Sequence, residues 1–183
     1  ALMIARDFVR VHPNQTAIVI GSDIARYGVG TPGEVTQGAG SISMLIKADP
    51  SIIALNDGHS AYSEDINDFW RPNFSRVAMV EGKYSTQVYL DFFTKTFNDY
   101  KKQKNLKTSD FDAITYHMPF TKMALKANRI AVEGQDEETT KKLESSFEAA
   151  KQLSRRIGNA YTASLYISLL SLLENDDLSA GSL

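Results

Sequence analysis

The chain has 183 residues, 43% hydrophobic and 23% charged, which is enough for one domain with a sizeable core. Its net charge of −2 gives no electrostatic footprint for nucleic acid. It has no cysteine, which excludes disulfides and a thiolate nucleophile within these residues.

The first residues, Ala1–Val11, put Leu2, Ile4, Ala5, Phe8 and Val9 on one helical stripe that ends before His12-Pro13-Asn14. Ala17–Ile20 (AIVI) reads as a β-branched buried strand, and Gly21–Glu34 as a glycine-rich loop leaving its end. Gly38–Ile46 and Ile52–Leu55 read as further strands, and Ser60–Arg76 as a long polar and aromatic connection. Ser85–Lys104 is an amphipathic helix with Val88, Phe92, Phe93 and Phe97 inward and Lys101, Lys102 and Lys104 at its C-terminal end, where the dipole favours cations. Ala113–Tyr116 reads as a short buried strand, stopped by Pro119, and a Lys-bearing helix follows. Glu133–Asn159 is a charged helical stretch broken at Gly158-Asn159, and Ala163–Glu174 a largely apolar helix. Strands alternating with helices argue an α/β fold. No apolar run reaches the roughly 18–20 residues that a bilayer span needs, and no secretory leader pattern is visible. The chain opens on a helical pattern without Met, so it reads as a segment of a longer protein.

His117, at the end of the expected strand, is a candidate general acid/base or oxyanion donor, with a backbone-bonded core histidine as the plainer reading. Lys122 and Lys126 share one helical face, which suits either a phosphate-bearing ligand or simple solvation. Asn159 is either a helix cap or an amide aimed into a site. The loop GSDIARYGVGTPGEVTQGAG lets backbone approach a ligand closely, but it is neither a P-loop nor a dinucleotide fingerprint. Asp23 and Tyr27 are its polar groups at the strand exit. Asp68-Phe69-Trp70-Arg71-Pro72 either caps a pocket or packs at an interface. His12 and His59 read as surface residues, and the three histidines show no metal-ligand spacing.

The dispersed, ordered motifs GSDIARYG, GEVTQGAG, DFWRP, HMPFTKM followed by Lys126, RRIGNAYTASLY and SLLEN resemble bacterial-type 3-hydroxy-3-methylglutaryl-CoA synthase, of the thiolase superfamily. The resemblance covers nearly the whole chain. It implies a thiolase-like fold of five layers, αβαβα, with residues 1–80 closing the first half and residues 81–183 opening the second. It also implies a cytoplasmic homodimer that condenses acetyl-CoA with acetoacetyl-CoA in the mevalonate pathway, with CoA thioesters as substrates and no other cofactor. By the same resemblance His117 polarises the acetoacetyl carbonyls and Asn159 bonds the acyl chain. Lys122 and Lys126 lie near the CoA phosphates and pantetheine, and Ser85 and Thr36 contact CoA. Asp23, Tyr27, Asp68 and Phe69 shape the acyl pocket. No metal, nucleic acid or membrane is implied. The family's nucleophilic cysteine and acid/base glutamate have no counterpart here, so these residues are expected to carry the acceptor half of a site and to be inactive alone. A ketoacyl-synthase-III-like condensing enzyme and a non-catalytic CoA-binding or dimerisation module are the rival readings.

Overall fold

A computed structural model describes residues 1–183. Helix α1 (Leu2–Val11) lies against a two-stranded antiparallel sheet of β1 (Ala17–Ala25) and β2 (Gly38–Ile46), in register from Ala17 opposite Ile46 to Ala25 opposite Gly38. β1 runs five residues past the expected end at Ile20, so Asp23 stands within the ladder, opposite Gly40. The strands alternate as a pleat requires. Val19 and Ala25 are buried on one face, whereas Ile18, Ile20 and Ile24 on the other are each more than 60% exposed.

The inner face of β2 carries glycine where bulk would collide. A Cβ on Gly40 would stand 2.7 Å from Ile167 Cδ1, and one on Gly38 would drive into the Ile157 carbonyl. These two residues let the strand come down onto the chain reversal that later presents Asn159. Ala160, Ala163 and Ile167 form the small core beneath it, with Ile42, Leu153 and Ile157 packed around.

Five more helices complete the chain. α2 (Gly82–Lys104) is capped at its start by the Glu81 carboxylate, which accepts from the Lys83 and Tyr84 amides, and stopped by Asn105 in the left-handed region at φ 53°. α3 (Thr121–Val132) buries Met123, Ala124, Ala127, Asn128 and Ala131 and turns Lys122 and Lys126 outward. The stretch expected as one helix over 133–159 divides. α4 (Glu137–Ala150) starts at an Asp136 cap and α5 (Gln152–Ile157) ends at Gly158, before α6 (Ser164–Asn175). Gly134 at φ 72° and the Asp136 cap separate α4 from α3. The main core gathers Tyr116, Met118, Ala124, Ala127, Phe147, Ala149, Ala150 and Leu172, with Phe93 of α2 against it. Phe93 and Phe97 stack at 5.3 Å and reach Tyr116 and Phe111, so α2 turns its aromatic stripe toward the core, although within these residues that stripe stays half-buried.

Two expected strands do not form. Ile52–Leu55 is exposed and irregular. Ala113–Tyr116 is extended but unpaired: the Asp112 and Ala113 amides both donate to the one carbonyl of Leu183, at 2.7 and 3.4 Å. A strand is defined by a neighbour, and neither segment has one within the 183 residues. The mixture of helix and sheet keeps the α/β class.

Candidate functional site

The chain brings six of the candidate residues, Asp23, Tyr27, Thr36, Asp68, Phe69 and Asn159, into one cluster, at the end of the sheet where β1 and β2 meet the turn before α6. The Thr36 carbonyl accepts from the Asn159 amide at 3.0 Å, which clamps the β2 entry to the α5–α6 junction. Gly158 makes this contact possible at φ 81°, where a side chain is disfavoured and where a Cβ would overlap the Gln37 carbonyl. Asn159 is 3% exposed. Its Oδ1 accepts from the Tyr161 amide at 2.9 Å, and its Nδ2 donates to the Tyr27 hydroxyl at 3.1 Å. One end of the Asn159 amide therefore braces a turn, as a cap would, and the other reaches across to the loop that follows β1.

Tyr27 is fixed from three sides. Its amide donates to Gln37 Oε1 at 2.8 Å, its hydroxyl lies 2.9 Å from that of Tyr161, and its ring meets Phe69 edge-on at 5.7 Å. Phe69 also faces Tyr161, with centroids 6.3 Å apart. Phe69 and Tyr161 are both non-glycine residues at positive φ, 45° and 42°. Strain of this kind persists where surrounding contacts over-determine it. Beside Phe69, Asp68 Oδ1 is buried with no hydrogen-bond partner in the chain. Asp23 is joined to the same turn by the Thr162 hydroxyl, which donates to its Oδ2 at 3.3 Å.

His117 approaches from the other direction. Its carbonyl accepts from the Tyr89 hydroxyl at 2.7 Å. The next residue, Met118, is fully buried, and its amide and carbonyl both bond the Ser164 hydroxyl at 2.9 Å. Ser164 opens α6, five residues after Asn159, so one turn of chain anchors the segments that carry both residues. The His117 side chain still meets solvent, but the protein mass around it desolvates the ring and holds its pKa below the ordinary imidazole value. The ring is thus neutral near pH 7, able to donate from one nitrogen and accept at the other. Burial likewise pushes the Tyr89 and Tyr116 phenols well above their usual range.

Lys122 and Lys126 lie exposed on α3, and Ser85 lies half-buried in the first turn of α2. No contact within the chain joins these three to the Asn159 cluster. The Thr36 hydroxyl is turned to the Gly33 carbonyl at 2.8 Å, closing the short 3₁₀ turn Glu34–Thr36. Ser164, Tyr161, Gln37 and Tyr89 escaped the sequence reading. Only Tyr161 and Ser164 had a signal there, as hydroxyl residues flanking Gly158-Asn159. Removing the Ser164 hydroxyl leaves two buried backbone groups unbonded, so Ser164→Ala is expected to cost on the order of 2–4 kcal/mol in denaturant unfolding.

No group of three or more His, Cys, Asp or Glu side chains is placed to hold a metal ion, and no helix is long and apolar enough to cross a membrane. Residues 53–132, which contain Asp68, Phe69, Ser85, His117, Lys122 and Lys126, match the family described as hydroxymethylglutaryl-coenzyme A synthase C terminal. A hydroxymethylglutaryl-CoA synthase of Enterococcus faecalis is 40% identical over 174 residues, covering 95% of this chain and 45% of the relative. The crystal structure of an HMG-CoA synthase complexed with CoA superposes with TM-score 0.94 at 46% identity, over 99% of this chain and 47% of that one. The chain belongs to the hydroxymethylglutaryl-CoA synthase family. A second solved structure, MvaS in complex with 3-hydroxy-3-methylglutaryl coenzyme A, is 31% identical with TM-score 0.79, covering 93% of this chain and 48% of that one. The chain spans about half the length of these synthases. Within the 183 residues Ile18, Ile20 and Ile24 on the outer face of the sheet stay largely exposed.

Proposed function

We propose that these residues supply the acceptor-substrate side of a hydroxymethylglutaryl-CoA synthase, which joins acetyl-CoA to acetoacetyl-CoA. The observation that carries the reading is Asn159: buried, its amide oriented at both ends, and tied through Ser164 to the segment presenting His117. Family membership supports the same reaction over a ketoacyl-synthase-like one.

In this reading the nucleophilic cysteine and the carboxylate that deprotonates the acetyl methyl come from outside these residues. The acetylated cysteine becomes an enolate equivalent, and its carbon attacks the acetoacetyl ketone. Negative charge then develops on the ketone oxygen. His117 polarises that oxygen and delivers its proton, and the remaining Asn159 N–H holds an acyl oxygen of the acceptor. Preorganised donors of this kind act on charge that appears only in the transition state. Phe69 and Tyr27 form an apolar wall with polar rims, and Asp23 and Asp68 set the polar edge of the acyl pocket. Lys122 and Lys126 give countercharge for CoA phosphates as point charges, and Ser85 and Thr36 bound the CoA path. Residues 1–80 belong to the first thiolase-like half and residues 81–183 to the second. The working state is a cytoplasmic homodimer in the mevalonate pathway.

The test uses the protein carrying these residues together with its nucleophile. Thiol release is followed with acetyl-CoA plus acetoacetyl-CoA, and with malonyl thioesters in place of acetoacetyl-CoA. Turnover only with the malonyl acceptor would sink the proposal in favour of the ketoacyl-synthase reading. No thiol release with either acceptor would leave the non-catalytic module. Asn159→Ala is expected to lower condensation about 10- to 100-fold, with a raised KM for acetoacetyl-CoA, because a buried oriented donor is removed.

A further inference from the structure

We propose that Tyr62 is a positioning residue for the acceptor pocket: seated on α2, it anchors the strap of chain that brings Asp68 and Phe69 to the Asn159 cluster. This rests on the functional reading above and adds to it the group that sets the pocket wall.

Between Ile46 and Gly82 the chain forms no α-helix and no strand, and its one backbone bridge joins Trp70 to Met79. Asp68 and Phe69 stand in this stretch, and neither rests in a conformation that the segment would choose unaided. Phe69 is held at φ 45°, and Asp68 Oδ1 is buried without a partner. Such a segment keeps its place only where its surroundings tie it down. At the site the tie is the contact of the Phe69 ring with Tyr27 and Tyr161. Upstream, the ties are made by residues 57–64.

Asp57 pairs with Arg10 of α1 at 2.5 Å, Gly58 lies against the Lys104 side chain, and the Ser60 hydroxyl donates to Asp99 at 2.6 Å. Tyr62 is the most fully held. Its ring meets Phe92 edge-on at 4.9 Å, and the Lys95 ammonium stands 4.0 Å from the ring centroid. Its hydroxyl accepts from Lys95 Nζ at 2.5 Å and donates to Glu64 at 2.8 Å. That hydroxyl raises the Lys95 pKa and lowers that of Glu64, so both groups stay charged across the neutral range. Surface ion pairs are weak singly, but here the aromatic and cation–π contacts converge on one ring.

The order of these contacts gives the strap a direction. As it passes from Gly58 to Ser60 to Tyr62, its partners on α2 step back from Lys104 to Asp99 to Lys95 and Phe92. Two extended residues and five helical ones each span about 7 Å, so the strap lies lengthwise along the helix. It runs toward the N-terminal end of α2, where Ser85 stands and where Tyr89 bonds the His117 carbonyl. Tyr62 is the last aromatic residue on the strap before Phe69, and its seat fixes how far the strap reaches.

The test measures acceptor kinetics in the protein that includes the nucleophile. Tyr62→Ala is expected to raise the KM for acetoacetyl-CoA about 10-fold and to leave acetylation of the nucleophile by acetyl-CoA at the wild-type rate. Tyr62→Phe keeps the ring against Phe92 and beneath Lys95, and should recover most of that loss. The deciding arm is a double-mutant cycle with Phe69→Ala. If Tyr62 acts through the pocket wall, removing Phe69 first should abolish the effect of Tyr62→Ala on KM, whereas a general loosening of the fold would add to it. A wild-type KM in Tyr62→Ala, or an equal effect that persists in the Phe69→Ala background, would overturn the proposal. If Tyr62→Ala does not fold, the cycle is run with Lys95→Ala, which removes the ammonium from the same ring, and a wild-type KM or an additive effect there overturns it instead. Loss in His117→Ala and Asn159→Ala with wild-type kinetics in Tyr62→Ala removes only this role, whereas wild-type activity in all three removes the functional reading itself.

Discussion

His117→Ala is expected to lower condensation by about 10²- to 10³-fold while leaving acetyl transfer to the nucleophile intact. The split follows from where His117 stands. In the proposed function it serves the acceptor side, its backbone is held through the Tyr89 and Ser164 contacts around Met118, and the 183 residues contain no cysteine to take the acetyl group. The imidazole acts on charge that develops on the acceptor oxygen, so its removal should appear in kcat more than in the burst of acetyl-enzyme. The pH profile gives a second reading. Desolvation lowers the His117 pKa, so the neutral ring should persist below the ordinary value near 6.5, and the acid limb it causes should lie below that pH. The sign for stability is the same. The unfolded chain binds the proton more readily, so the folded state loses ground as pH falls below 6.5 towards the lowered folded value and gains nothing more above it. Equal losses in acetylation and condensation would contradict the placement of His117 on the acceptor side.

Gly158→Ala is expected to destabilise the fold by on the order of 3–5 kcal/mol, among the largest single-residue effects in the chain. Two costs add. The backbone sits at φ 81°, where a side chain is strained, and the new Cβ would overlap the Gln37 carbonyl and crowd Gly38. Neither neighbour can yield, because both are backbone atoms clamped by the bond from the Asn159 amide to the Thr36 carbonyl. Gly134 provides the contrast. It sits at φ 72° with no atom within 4 Å of a built Cβ, so Gly134→Ala should cost only the torsional strain, about 1 kcal/mol. Denaturant midpoints of the two variants separate strain from collision. Similar losses at both positions would show that the close approach of Gly158 to Gln37 is not what holds the turn. Because Asn159 follows directly, Gly158→Ala should also impair acceptor binding beyond its effect on stability.

The opening helix, the cores of β1 and β2, the long aromatic helix α2, the Lys-bearing α3 and the apolar α6 were all legible from periodicity, because each carries its own burial pattern. Where the reading failed, the missing term was a partner. Ala113–Tyr116 has the residues of a strand, but only the Leu183 carbonyl meets its amides. The break between α4 and α5 has no proline or glycine to mark it; Lys151 stands at the join, and α5 ends only at Gly158.

The sequence by itself determined the fold class, the family motifs, and the candidacy of His117, Lys122, Lys126 and Asn159. Local patterns and ordered motifs survive in one dimension. Only the tertiary structure decided that Asn159 bonds Tyr27 across 132 positions and that Ser164 ties down the neighbour of His117. It also decided that Tyr161 joins them, and that Lys122, Lys126 and Ser85 stand apart from that cluster within these residues. Such contacts are set by the close approach of β2 to the α5–α6 turn through Gly38, Gly40 and Gly158, and a glycine's sequence position does not say which backbone it will meet.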